Sequence, residues 1–301
     1  MVGERAPARP AYGAVAMTLG VPAGEGGYTD APTAPLPSGT GEDTPEQPPA
    51  QIRPPRRLRR RLRRILVVML ALALVVVLAF IALLLITPSV SNAPDLAQGF
   101  DQAHHAVYPG PPVPVRFAES LVATEDHRFY SEPGVDPYAI ARVIGGRVTG
   151  QPDQGGATLY QQLAKMLYTP GRSGVTVEVE QIMLGIKLYL SYPRAEILRL
   201  YADVAYFGHG YYGLAAASCG YFGVTPAGLS WPQAALLAGL VQAPSTDSPV
   251  AHYAVARARE AHVLGRLAAT GKLTQAQASR AYRQPLHLVG GPGTGCTARL
   301  A

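Results

Sequence analysis

Apolar positions fall into three regimes along the chain. Up to residue 52 large apolar side chains are sparse and follow no period. From Ile65 to Ile86 they are continuous, 22 residues without one charge. From about Ala93 to Leu288 they recur three and four residues apart, the spacing of helices with one buried face. Strand-like alternation is almost absent, and no internal repeat is visible. The pattern predicts an all-α protein with one large helical domain.

The central run has the length of a membrane span. At ~1.5 Å per residue it covers about 33 Å, against a bilayer core of ~30 Å. It is too long and uniform for a core helix, and too far from the start for a typical signal segment. The preceding segment "RPPRRLRRRLRR", residues 53–64, holds eight Arg. By the positive-inside rule that block places the N-terminal tail in the cytoplasm and everything after Thr87 outside. The expected organisation is a disordered Pro- and Gly-rich cytoplasmic tail at 1–52, an Arg-rich juxtamembrane segment at 53–64, a transmembrane helix at 65–86, a helical domain at 93–288 and a flexible tail at 289–301.

Charge sharpens this division. The chain is +6 overall. Residues 1–64 carry ten Arg against six acids, or +4, and the part from Thr87 onward carries +2. The basic character therefore belongs to the membrane flank, where Arg pairs with anionic lipid, and not to a nucleic-acid surface. The two cysteines, Cys219 and Cys296, fix no pairing by their spacing, and no Cys/His group has zinc spacing.

Within the domain the pattern predicts helices over 113–129, from near Pro137, over "GGATLYQQLAKMLY", over 175–190, from "YPRAEILRLYADVAYF", over "LAAASCGYFG", over "LSWPQAALLAGLVQAPS" with Ser230 as N-cap, over "AVARAREAHVLGRLAATG" ending at Gly271, and over "TQAQASRAYRQPL". The helix at 175–190 is expected to carry Val175, Val179, Ile182, Met183, Ile186 and Leu190 on one face.

Two stretches carry candidate chemistry. In "ATEDHRFYSEPG", residues 123–134, Glu125 and Asp126 fall on or beside an apolar face near a helix C-terminus. Both the helix dipole and burial disfavour negative charge there. Either the helix ends early, with Asp126 in a turn and Glu125 in solvent, or Glu125 lines a cleft with a raised pKa, as suits a general base. In the second stretch Thr158, Gln162 and Lys165 recur at i, i+4, i+7, opposite Leu159, Leu163, Met166 and Leu167. A hydroxyl, an amide and a cation at a helix N-terminus suit an anionic, sugar-bearing ligand, or form an ordinary solvated face.

Together these stretches resemble the first two motifs of the peptidoglycan glycosyltransferases, glycosyltransferase family 51. Its patterns run Glu-Asp-x-x-Phe-x-x-His-x-Gly and Gly-x-Ser-Thr-x-x-Gln-Gln-Leu-x-Lys-Asn. Later segments, "AEILRLYADVAYFGHGYYGLAAASCGYFG" and "RAREAHVLGRL" among them, are similar to the family's further regions. The likeness covers about 110–285. With no stretch left for a transpeptidase, it is to the monofunctional murein polymerases.

The resemblance implies a lysozyme-like, two-lobed helical fold around a cleft beside the membrane. It implies polymerisation of a lipid-linked disaccharide-pyrophosphate. Glu125 would be the general base, with Asp126, Phe129, Thr158, Gln162 and Lys165 around the substrate. It also implies a divalent metal, Mg or Mn, and no nucleotide cofactor. The partners would be the lipid-linked precursor, nascent glycan, membrane lipid and other cell-wall synthesis proteins, with no nucleic acid.

Some positions depart from the pattern. Glu132 stands for the His, Ala157 for the Ser, Met166 for the Asn, and Asp203 for a later Asn. In the third motif, Arg-Lys-x-x-Glu, Val177 falls at the Arg, Glu178 at the Lys, and Gln181 at the second essential acid. Glu180 or Glu178 takes that role if the register shifts. The alternative function is therefore a catalytically degenerate member that binds precursor or glycan as a scaffold. A lysozyme-like glycan-cleaving enzyme is a third reading, opposed by the Gln-Gln-Leu-x-Lys motif.

Overall fold

A computed structural model describes residues 56–135 and 157–289. The helix expected from near Pro137 and the Gly155-Gly156 pair lie outside them, as do residues 1–55 and 290–301. The described residues form helices and a single isolated bridge, Tyr206 to Tyr212, within the Gly-aromatic loop. The all-α expectation holds among them.

Helix α1, Arg56–Ile86, contains the apolar run. Its most apolar 18-residue window, within Arg59–Ile86, has a mean hydropathy of 3.4 and none of that window is buried inside the protein. Such a helix is long and apolar enough to cross a membrane. The seven Arg of its first turns continue the same helix.

The helical domain falls into two packing groups. Helices α2 (Ala93–Ala103), α4 (Leu159–Tyr168), α5 (Val175–Ser191) and α6 (Arg194–Val204) pack on one another. So do α3 (Val115–Glu125), α8 (Trp231–Leu240), α9 (Tyr253–Ala269) and α10 (Gln275–Arg283). Helix α7 (Leu214–Phe222) joins α6 to α8. Helix α8 lies inside the second group, with every residue from Pro232 to Leu240 buried. An apolar helix of this kind needs neighbours on all sides, and α3 and α9 supply them.

Local chemistry sets the ends. Thr158 caps α4 through a reciprocal pair, Gln161 N donating to Thr158 Oγ1 (3.3 Å) and Thr158 N to Gln161 Oε1 (3.2 Å). Ser230 N likewise donates to Gln233 Oε1 (3.0 Å) before α8. Gly271, at φ 73°, closes α9 in the left-handed region that glycine adopts without strain. Pro193, expected inside the first turn of α6, is its N-cap.

Helix α5 forms over the expected run, but of the residues on its named face only Met183 is buried. The residues it buries are Val177, Met183, Leu184, Gly185 and Leu188. Val175 and Leu190 are exposed, and Val179, Ile182 and Ile186 are only partly covered. The helix is apolar on two opposite faces, so its period alone does not say which of them the core takes. Sequence patterning also missed α2 and a 3-10 turn at Pro226–Gly228.

Between α2 and α6 lies a pair of buried acids. Asp101 has no exposed surface, and neither of its carboxylate oxygens has a hydrogen-bond partner. Burial, reinforced by the Asp203 charge, pushes its pKa up to about 7. Burial raises Asp203 to about 6, against the pull of a Gly110 backbone hydrogen bond and of Arg199, whose Nη1 lies 3.2 Å from Oδ2.

Candidate active site

Helix α3 ends at Glu125, as the simpler sequence reading held. The acids nevertheless turn inward. Asp126 is buried, and its Oδ2 accepts from the backbone N–H of Leu159 (2.9 Å). That N–H is one of the free donors at the start of α4, where the helix dipole favours an anion. Asp126 thus joins the end of α3 to the beginning of α4, one helix from each packing group.

Glu125 occupies the same junction. Gln162 Nε2 donates to Glu125 Oε2 (3.0 Å), and Tyr201 OH donates to Gln162 Oε1 (2.8 Å). Only 2% of Tyr201 is exposed. Its hydroxyl fixes which way round the Gln162 amide sits, turning the NH₂ toward the carboxylate. Burial raises the Glu125 pKa; the Gln162 hydrogen bond and the Arg259 charge lower it, and Asp126 raises it again. Tyr201 is pushed well above its usual range by burial and by the Glu125 charge, so it stays a donor.

Helix α9 closes the wall from the other side. Arg259 Nε is 2.7 Å from Asp247 Oδ2, and Arg266 Nε donates to the backbone oxygen of Ala123 (3.1 Å). Both arginines lie in "RAREAHVLGRL", a segment similar to the family's later regions, but that likeness assigned neither of them a role. Tyr201, in "AEILRLYADVAYFGHGYYGLAAASCGYFG", was likewise assigned none.

Helix α4 carries the remaining candidates. Thr158, nearly without exposed surface, donates from Oγ1 to the backbone oxygen of Gly134 (3.1 Å), as well as capping its own helix. Lys165 is exposed in the last turn. Phe129, expected against the substrate, is fully buried and stacks on Tyr160 at a 5.1 Å centroid distance. Its contribution here is packing beneath the junction.

The third-motif positions lie on α5, where Gln181 meets the C-terminal end of α4. Gln181 Nε2 donates to Thr169 Oγ1 (2.8 Å) at the C-cap of α4. Gln162, Lys165 and Thr169 fall at i, i+3, i+7, so one helical face runs from Glu125 past Lys165 to Gln181. Seven residues of helix cover about 10 Å. Glu180 pairs with Arg172 (2.9 Å), Glu178 is exposed in the first turn of α5, and Val177 is buried.

This donor set does not suit a hard divalent cation, which takes six or more oxygens, several of them from carboxylates. Gln181 offers one neutral amide oxygen, and the neighbouring Glu180 is held by an arginine. Among the described residues no three His, Cys, Asp or Glu side chains gather as a metal site.

The Transglycosylase family profile matches residues 95–268, more than half of the chain. Penicillin-binding protein 1A of Neisseria flavescens is 35% identical over 170 residues, covering 56% of this chain and 21% of that protein. Penicillin-binding protein 1A of Aquifex aeolicus is 37% identical over 175 residues, covering 58% of this chain and 24% of its own length. This chain thus spans less than a quarter of either. A Cupriavidus necator protein named as a transglycosylase is 32% identical over 176 residues, and the match spans 76% of it and 58% of this chain. The crystal structure of penicillin-binding protein 1A from Haemophilus influenzae aligns at a TM-score of 0.36 with 20% identity, over 61% of this chain and 19% of that one. With the acids of its first motif and the Gln-Gln-Leu-x-Lys helix at one junction, and with the profile and relatives matching across them, the chain belongs to the transglycosylase family of peptidoglycan glycosyltransferases.

Proposed function

We propose that the protein polymerises a lipid-linked disaccharide-pyrophosphate into glycan strands, with Glu125 as general base. The observation that carries this reading is the Glu125–Gln162–Tyr201 chain at the junction of the two helical groups. A carboxylate there is kept out of water yet held by a donor that favours its ionised form, the balance a base needs. The acceptor sugar hydroxyl gives its proton to Glu125 as its oxygen bonds to the donor's anomeric carbon. The bond from that carbon to the pyrophosphate breaks, and undecaprenyl pyrophosphate leaves with the electron pair.

Lys165, on the same face of α4, faces the leaving diphosphate in this reading, and its charge stabilises the transition state more than the bound substrate. Thr158 and Asp126 hold the N-terminal end of α4 in register with Glu125. No step is assigned to a metal. The Arg block before the span favours a cytoplasmic N-terminus and an extracytoplasmic helical domain, so precursor and nascent glycan would be met on the outer face.

A second reading rests on one observation. Gln181 is neutral and hydrogen-bonded to Thr169 where the family carries an acid. Val177, at the family's Arg, faces the core, so an Arg restored there would have to displace packing. A member of this kind would bind precursor or glycan without turnover.

One assay separates the readings. The purified full chain is given lipid-linked disaccharide, and polymer and bound precursor are both measured. The polymerase reading expects polymer from the parent, a fall of about 10²–10⁴-fold in Glu125→Gln with binding retained, and faster turnover in Gln181→Glu. Binding without polymer in the parent supports the second reading. Parental turnover in Glu125→Gln removes Glu125 as the base.

A further inference from the structure

Helix α9 meets the end of α3 with two arginines on one face, and the proposed reaction leaves the first of them without a role. Arg259 and Arg266 are two helical turns apart, about 10 Å along the axis. Arg266 is fastened to the Ala123 oxygen, two residues before Glu125, so that face of α9 looks onto the junction. Packing fixes the stem of Arg259. A Cβ on Gly239 of α8 would lie 3.2 Å from Arg259 Cβ and 3.4 Å from Val263 Cγ2, so the two helices approach this closely because residue 239 is glycine.

One residue holds the head of Arg259. Its Nε donates to Asp247 Oδ2 (2.7 Å), and neither Nη has a hydrogen bond among the described residues. Asp247 is buried in the turn that follows α8. Its N–H donates to the Ala243 oxygen (2.9 Å), and Thr246 Oγ1 donates to its other carboxylate oxygen (3.2 Å). The aspartate thus comes from a loop pinned to α8, and the arginine from α9. The charged or titratable groups that face Glu125 are Asp126 beside it, Tyr201 from α6 and Arg259 from α9. Helix α4 presents the neutral Gln162 amide, with Lys165 a turn further on. The Arg259 side chain is 30% exposed, so without an anchor it would spread over many rotamers and its charge with it.

We propose that Asp247 is a positioning residue: it holds the Arg259 guanidinium beside the Glu125 carboxylate and so keeps the base charged in a site shielded from water. This deepens the reading of Glu125 as general base and rests on it. Charge alone works the other way. A nearby carboxylate disfavours a second one, so deleting Asp247 would make Glu125 easier to ionise if Arg259 stayed in place. Glu125 becomes harder to ionise only if Arg259 leaves with its anchor. The sign of the change therefore separates positioning from simple charge.

The test reads the Glu125 carboxyl directly. The full chain in detergent carries glutamate labelled with carbon-13 at Cδ, and the Glu125 resonance is the one lost in Glu125→Gln. Its titration midpoint is followed in the parent, Asp247→Ala, Asp247→Asn and Arg259→Gln, with the pH–rate profile recorded alongside. The expected result in Asp247→Ala is a midpoint about 1 pH unit higher, the low end of what one neighbouring opposite charge does to a carboxyl, with the acid limb of the profile moving alongside. Asp247→Asn, which keeps the shape and an acceptor for Nε, should move the midpoint by less. Asp247→Ala added to Arg259→Gln should raise it no further, because the anchor then has nothing to hold. A midpoint that stays or falls in Asp247→Ala overturns the proposal, as does a further rise in the double variant. Parental turnover in Glu125→Gln would instead sink the base reading, and the carboxyl titration would still decide whether Asp247 aims Arg259.

Discussion

Replacing Asp101 by Asn should flatten the pH dependence of stability. Asp101 has no exposed surface, no hydrogen-bond partner for either oxygen, and a pKa pushed from 3.8 up to about 7. The folded protein therefore binds a proton that the unfolded chain releases at lower pH. For a raised carboxyl, the stabilisation is complete below the unfolded pKa and is lost as pH climbs through the folded one. Between pH 5 and pH 8 the folded carboxyl titrates over about two further units, which at ~1.36 kcal/mol per unit costs about 3 kcal/mol. For a domain of this size that corresponds to a Tm lower by about 6–12 °C at pH 8 than at pH 5. Asp203 and Glu260, at about 6 and about 7, act in the same direction, so the parent slope is a minimum. Asn keeps the shape and removes the charge. Thermal unfolding of the full chain in detergent, followed by circular dichroism at pH 5, 6, 7 and 8, measures the difference, with the exposed Asp95→Asn as control. A parent Tm that stays level or rises from pH 5 to pH 8, or an Asp101→Asn slope equal to the parent's, refutes the argument.

Two further outcomes follow from the α3–α4 junction. Tyr201→Phe frees the Gln162 amide to rotate, so Glu125 loses a hydrogen bond of about 1 kcal/mol that favours its charged form. The acid limb of the pH–rate profile should move to higher pH by about 0.7 unit; a uniform loss of rate with an unmoved limb would show that Tyr201 only packs. Asp126→Ala removes a charged acceptor from the Leu159 N–H and should cost about 2 kcal/mol in chemical denaturation, while Asp126→Asn, which keeps an acceptor, should cost about half as much. Equal losses in the two variants would mean that the hydrogen bond to α4 contributes nothing.

Helix ends were legible where a single residue type enforces them. Ser230 and Gly271 marked their termini because a cap or a left-handed turn leaves few alternatives. The buried face of α5 was not legible, because a helix apolar on two opposite faces leaves the period without a single phase. Glu125 and Gln162 stood out through motif likeness, and their contact joins residues 37 apart. Tyr201, Arg259 and Arg266 lie in segments similar to the family, but their roles were not legible because they depend on contacts between distant parts of the chain, which no local pattern encodes. Phe129 illustrates the reverse limit: likeness to a motif names a residue without saying whether it faces the cleft or the core.

The clamp of α9 on α3 also bears on how the chain is made. Arg266 reaches back 143 residues to the Ala123 oxygen, and Lys272 pairs with Glu119 at 2.8 Å. At about 5–20 residues per second, translation leaves a lag of about 7–30 s between the two ends of that clamp. Throughout it α3 lacks the contacts that α9 supplies, although Phe207, which packs on Phe117, and α8 are made earlier. The base and its wall can close only after Arg266 has been made, so a nascent chain spends its first seconds on the bilayer without a finished site.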